Sequence, residues 1–270
     1  MYDLSFVRKR KRRKLVAIGS LISAFGITSM AMISYLGQSV GTITVSLKNS
    51  LVQLALSQKL DFAEETSYIK YEGIKSFEEN TYRFLPADSI LDNENTPFTY
   101  GEVGELASGR YSFFKITYYV KNVGRISANY VMDVNIGGTS AASDGSGRTL
   151  DDTVRIMIYD NIPEDNTHNK RIYAKASYTN NLDRDGQLTD REFVSVPASQ
   201  EDDDHPLAET FYSSTIVARY TVDTFDPHEV RRYTIVMWLE GEDPQARGGF
   251  APEGASIEFG VTISGNESER

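Results

Sequence analysis

The chain has 270 residues, of which 40% are apolar, with 28 Lys and Arg against 38 Asp and Glu and no Cys. That apolar share suffices for a packed core and excludes wholesale disorder, while the lack of Cys excludes a disulfide framework and a thiol nucleophile. Charge is unevenly placed: seven consecutive cations from Arg8 to Lys14, with Asp3 the only acid among the first forty residues, leave +6 on that segment and −16 on the rest.

The basic block runs directly into residues 15–36, LVAIGSLISAFGITSMAMISYL, which carry no charge. Twenty-two residues at 1.5 Å each reach about 33 Å as a helix, enough to cross a hydrocarbon core of about 30 Å. Cations resist passage through lipid, so the block is expected to stay cytoplasmic and everything after Gly37 to face outward. That position also argues against a nucleic-acid role for the basic run. Gly37-Gln38-Ser39 offers small residues at the positions a signal peptidase reads, with a cut between Ser39 and Val40. Against a cut, 22 apolar residues exceed the about 7–15 of an ordinary signal peptide core. Retained anchor and cleaved signal both stay open.

After Gly41 the apolar period becomes two. TITVSLK (42–48) and LVQLALS (51–57) read as one or two strands. Residues 61–82 leave room for a short helix, and 88–109 read as a polar excursion. In residues 112–136 the alternation is strongest. Phe114, Ile116, Tyr118 and Val120 share one face, as do Ile126, Ala128, Tyr130, Met132, Val134 and Ile136, with Asn122-Val123-Gly124 between the two runs. This predicts an antiparallel hairpin with one buried face. Residues 137–152 form a small-residue loop. It could cradle phosphate through backbone N–H groups, but it lacks a Walker-type Lys-Ser/Thr ending, and a plain loop is the simpler reading.

Further strands are expected at 153–160, at 171–179 paired with 191–196, at 215–222, at 230–241 and at 255–263. The run VRRYTIVMWLEG, apolar on both faces, should be central and carry Trp238 in the core. Strands in this number, with no convincing helix after residue 90, predict an all-β fold, an antiparallel β-sandwich of jelly-roll-like form, preceded by one N-terminal transmembrane or signal helix. The expected division is a cytoplasmic basic segment (1–14), a signal-anchor or signal peptide (15–36) and one extracellular domain (37–270).

Asn181, Asp183, Asp185, Gly186, Gln187 and Glu192 match much of a twelve-residue calcium loop, because alternating oxygen ligands, a glycine at the sharp turn and a final bidentate Glu suit a hard cation. Asn replaces the usual first Asp, and both flanks read as strands. An Asp-Gly turn closing a hairpin competes with the metal reading. The acidic run Glu201-Asp202-Asp203-Asp204-His205 reads as a solvated loop. His168, His205 and His228 all fall in polar loops, and no G-x-S-x-G or HExxH pattern occurs, so a non-enzymatic role is expected, although a carboxylate pair could hide among so many acids. Tyr111, Tyr118, Tyr119, Tyr130, Tyr173 and Tyr178 could form a sugar-stacking platform, with core or cross-strand packing as the plainer explanation.

Gly41-Thr-Ile-Thr-Val-Ser just after the apolar span, the F-x-x-x-Y-x-V-K-N-x-G run from Phe114 to Gly124, and a terminal Trp strand followed by ASIEFGVTI together resemble the TasA and camelysin group of secreted bacterial β-sandwich proteins. The resemblance implies a jelly-roll-like surface protein or biofilm-matrix fibre subunit, in which the N-terminal strand of one copy completes the sheet of the next. Thr42, Ile43, Thr44, Val45, Ser46 and Leu47 would then be the assembly strand, with residues up to Ser57 in the donor segment. A retained helix would tether that donor to its own membrane. Expected partners are the membrane, through the N-terminal span, and further copies of the chain, with cell-surface glycans on the alternative reading as a glycan-binding β-sandwich module.

Overall fold

The computed structural model describes residues 42–47, 53–70, 102–105, 112–161, 169–176, 181–182, 187–189, 191–192, 207–241, 243, 245–246, 251 and 254–267. All of them belong to one unit, Ser39–Arg270. The span at 15–36, the cut between Ser39 and Val40, and the acidic run at 201–205 lie outside the described residues. Among the described residues no helix is long and apolar enough to cross a membrane.

Fourteen strands are formed by the described residues: β1 (Thr42–Leu47), β2 (Leu54–Ser57), β3 (Tyr68–Lys70), β4 (Glu102–Glu105), β5 (Ser112–Asn122), β6 (Ala128–Ser140), β7 (Val154–Asn161), β8 (Asn169–Ala174), β9 (Asn181–Leu182), β10 (Leu188–Thr189), β11 (Glu209–Thr210), β12 (Ile216–Phe225), β13 (Val230–Leu239) and β14 (Ser256–Glu267). Twelve of them build a β-sandwich, and β9 and β10 pair with each other. One sheet has the order β12-β6-β14-β1-β3; the other runs β11-β8-β7-β13-β5-β2, with β4 also on β5. At one corner the sheets touch through a bridge between Leu56 and Thr66, closed by reciprocal backbone bonds of 2.7 and 2.9 Å.

Alternating residues explain the core. Ile43, Tyr130, Met132, Val134, Val261 and Ile263 from the first sheet meet Ile116, Tyr118, Val120, Ile156, Ile158 and Ile235 from the second, all buried. The strongly alternating segments expected at 112–136 are present as β5 and β6, but not as a hairpin. β5 pairs with β13, β2 and β4, whereas β6 pairs with β12 and β14 in the opposite sheet. Two strands that each have one apolar face can lie side by side or face each other across a core, and here they face. The Tyr118 hydroxyl meets the Met132 sulfur at 2.9 Å across that core. The turn is an arch pinned by buried Asn122: its amide donates to the Ile126 and Phe225 carbonyls, and its Oδ1 accepts from the Gly124 N–H.

The expectation of a purely antiparallel sandwich is corrected. β1 runs parallel to β14 from Thr42↔Gly260 to Leu47↔Gly265, and β11 runs parallel to β8, so both sheets are mixed. Parallel neighbours need a long connection, and first and last strands have the whole domain between them. Of the expected pair at 171–179 and 191–196, residues 177–179 and 193–196 lie outside the described residues. β8 lies between β7 and β11, and Arg191 and Glu192 stand outside any strand. β13 is central, between β7 and β5, as its two apolar faces require.

Candidate functional site

Two places join chemistry-bearing residues: the slot that holds β1, and the outer face of the larger sheet. β1 lies between β14, which it follows in parallel for six residues, and the three-residue β3, which it meets from Thr42↔Lys70 to Thr44↔Tyr68. Ile43 is fully buried in the core, Val45 packs against it, and Thr44 faces outward beside Thr262. The Val45 N–H donates to the Ser67 carbonyl at 3.0 Å. The residues expected as an assembly strand, Thr42 to Leu47, form β1 and lie in this chain's own sheet. Lengthened by β14, the slot offers an extended segment two backbone edges and one apolar socket.

On the larger sheet, both faces are buried. β7 turns Val154, Ile156 and Ile158 inward and Arg155, Met157 and Tyr159 outward, yet the outward residues have almost no solvent exposure. Trp238 belongs to this second, outer cluster with Phe113, Val236 and Ala208, and so lies in a core other than the one between the sheets. Within the cluster the Arg155 guanidinium sits 2.9 Å from Asp243 and 3.7 Å from Glu192, and all three side chains are buried. The Trp238 indole N–H donates to Glu240 at 3.2 Å. Arg191 donates to the carbonyls of Ala208 and Leu207 at 2.8 and 3.0 Å, while the Ala208 N–H returns a bond to the Glu192 carbonyl. Chemically this is a clamp. One cation bound by two carboxylates from distant loops fixes irregular chain onto a sheet, because a buried charge is tolerated only when paired. Sequence reading missed it, since Arg155, Glu192 and Asp243 share no motif; the only signal was a cation at an alternate position of an otherwise apolar strand.

The candidate calcium loop is divided. Asn181 lies in β9 and pairs with Thr189, and Leu182 pairs with Leu188, an antiparallel pair of strands. Gln187 is exposed. Asp183 and Asp185 lie outside the described residues. Glu192, expected as the bidentate ligand, points to Arg155 instead. No group of three or more His, Cys, Asp or Glu suited to a metal occurs among the described residues. A cation in this loop would have to take Glu192 from the clamp.

The tyrosine platform is corrected for its described members. Tyr118, Tyr119, Tyr130 and Tyr173 are buried, because their positions alternate toward one core or the other. Tyr130 and Tyr233 share a 2.6 Å hydroxyl bond, Tyr173 and Tyr220 one of 3.1 Å, and burial pushes all four phenols above their ordinary pKa. Tyr111 and Tyr178 lie outside the described residues. The small-residue loop after β6 supplies its own anion: Asp144 accepts from the Ser146 N–H at 2.9 Å and from Arg148 at 3.1 Å, and these contacts, that with Ser146 foremost, lower its carboxyl pKa to about 2. The phosphate-cradle reading therefore has no support there. Beyond that loop, Lys175 bridges Asp151 and Asp152 at 2.6 and 2.7 Å.

No family model matches the chain, and no curated protein matches it.

Proposed function

We propose that this chain is a non-enzymatic cell-envelope protein of jelly-roll type, held at or released from the membrane by its apolar N-terminal span, whose extracellular domain assembles with further copies by strand addition. The observation that carries the reading is β1. It is the first strand of the domain, it runs parallel to the last strand, and its slot requires only an alternating segment with an apolar residue at the Ile43 position. A strand from a neighbouring copy makes the same bonds in the same register, so exchange changes connectivity and little else. The cut expected between Ser39 and Val40 lies two residues before Thr42, so cleavage would leave β1 at the new N-terminus, where it can leave its slot without dragging further chain. The TasA and camelysin resemblance points the same way.

The uncharged span and its cationic flank support the membrane part of the proposal, with the β-sandwich outside the cell. The alternative reading as a glycan-binding module keeps no carrying observation, since its described tyrosines are buried. The proposal is tested on material recovered from the cell exterior. N-terminal sequencing is expected to begin at Val40, and electron microscopy to show filaments that Ile43→Asp abolishes. Dispersed single particles from a chain starting at Val40 would rule out assembly by strand addition.

A further inference from the structure

β12 ends the five-stranded sheet, with β6 on one side only. Among the described residues its outer edge is met solely at its start, where the Tyr212 and Ser213 N–H groups donate to the Val217 and Ile216 carbonyls at 3.1 and 2.9 Å. Register shifts toward β6 fall between Ile216 and Ala218 and again between Val222 and Phe225, and Thr224 has a positive φ of 60°. Bulges of this kind bend an edge away from indiscriminate pairing. Between them the register with β6 is unbroken from Ala218 to Val222, and Asp223 follows directly.

Exposure alternates through Arg219 and Thr221 to Asp223 at the start of the second register shift, and all three are exposed. Arg219 is fixed by a two-pronged bond to Asp133 at 2.7 and 2.8 Å and by the Tyr212 ring 4.7 Å away. Asp223 makes no ion pair among the described residues. These three residues are complementary to themselves when reversed. If a second β12 is laid antiparallel with Thr221 opposite Thr221, each Arg219 stands opposite the other copy's Asp223. On the inward side each Tyr220 then stands beside the other copy's Val222. Opposite charges directly across an antiparallel pair are favourable and like charges unfavourable.

We propose that the β12 edge is a docking surface for a second copy of this chain, paired about a twofold axis at Thr221, so that two five-stranded sheets become one. The contact is isologous, since the same edge serves both copies. It is separate from the β1 slot: strand exchange there links copies head to tail, and pairing at β12 joins two copies side by side.

The chain has no Cys, which permits a clean test. Full-length protein in detergent carries the single substitution Thr221→Cys, or Thr139→Cys as an exposed control on β6 away from this edge. Directly opposite residues in an antiparallel pair have Cα atoms about 4.5–5.5 Å apart, within disulfide range. Under mild oxidation T221C is expected to give a disulfide-linked dimer at many times the control's yield. Adding Asp223→Lys places two like-charge pairs across the axis and should cut that yield about tenfold, with the melting temperature unchanged because Asp223 makes no ion pair among the described residues. A T221C yield no greater than that of T139C, or one indifferent to D223K, would overturn the proposal. Filaments that persist in D223K separate this outcome from the fate of the β1 reading.

Discussion

On the inward face of β7, beyond Ile158, stands Asp160, directly across from Tyr233 on β13. Among the described residues its Oδ1 is buried without a hydrogen-bond partner, and burial raises its pKa despite the nearby cations of Arg231 and Arg171. A carboxyl raised on folding binds a proton more tightly in the folded chain than in the unfolded one, so its penalty is absent in acid and complete once the pH has passed the folded value. Asp160→Asn should therefore raise the melting temperature at pH 7 by about 2 °C or more, and that gain should fade as the pH is lowered toward 4. Thermal melts at both pH values check the sign. Arg155 is the opposite case, a buried charge with good partners. Arg155→Ala strands Asp243 and Glu192 in the outer core and should cost about 3–5 kcal/mol by denaturant titration, more than most surface substitutions by a wide margin. Neither residue could be ranked from the sequence, where Asp160 closes one strand run and Arg155 interrupts it. What distinguishes them is which carboxylates and phenols the opposite strands bring near.

At the scale of elements, β5, β6, β7 and β14 are readable from alternation, because a half-buried strand must place apolar side chains on every second residue, and β13 is readable as a run apolar on both faces. Their partners are not. Alternation says that a strand has an inner face and leaves undecided which strand shares its edge, so β5 and β6 read as a hairpin and prove to be an arch. The arch depends on Asn122, whose side chain makes two hydrogen bonds within the turn and a third to the Phe225 carbonyl on β12. Similarly, Trp238 is legible as buried, but its place in the outer core depends on segments such as that around Ala208 that cover the larger sheet. The β1 strand was legible in its bounds. Its parallel register on β14 was not, since more than two hundred residues separate Thr42 from Gly260.

For the whole molecule, that pairing of first strand with last has a consequence. β14 lies between β6 and β1, so the five-stranded sheet is divided until the end of the chain is in place. Long-range pairing must bear its loop-closure entropy before any contact rewards it, which makes such topologies slow to form. A chain truncated before β14 should lose the cooperative unfolding transition altogether rather than melt a few degrees lower, as followed by circular dichroism and urea titration. A truncated chain that still unfolds in one sharp step would show that the other sheet folds alone.

The amino-acid order by itself settled that the bulk of this protein is strand-built, acidic and free of disulfides, and that an uncharged stretch behind a block of cations precedes it, because side-chain period and charge are local properties. Only the tertiary structure decided which faces meet, that both sheets are mixed, that Glu192 turns to Arg155, and that one edge ends in a charge pattern matching its own reverse. Those outcomes depend on distances between residues far apart in the chain, and packing rather than local preference sets such distances.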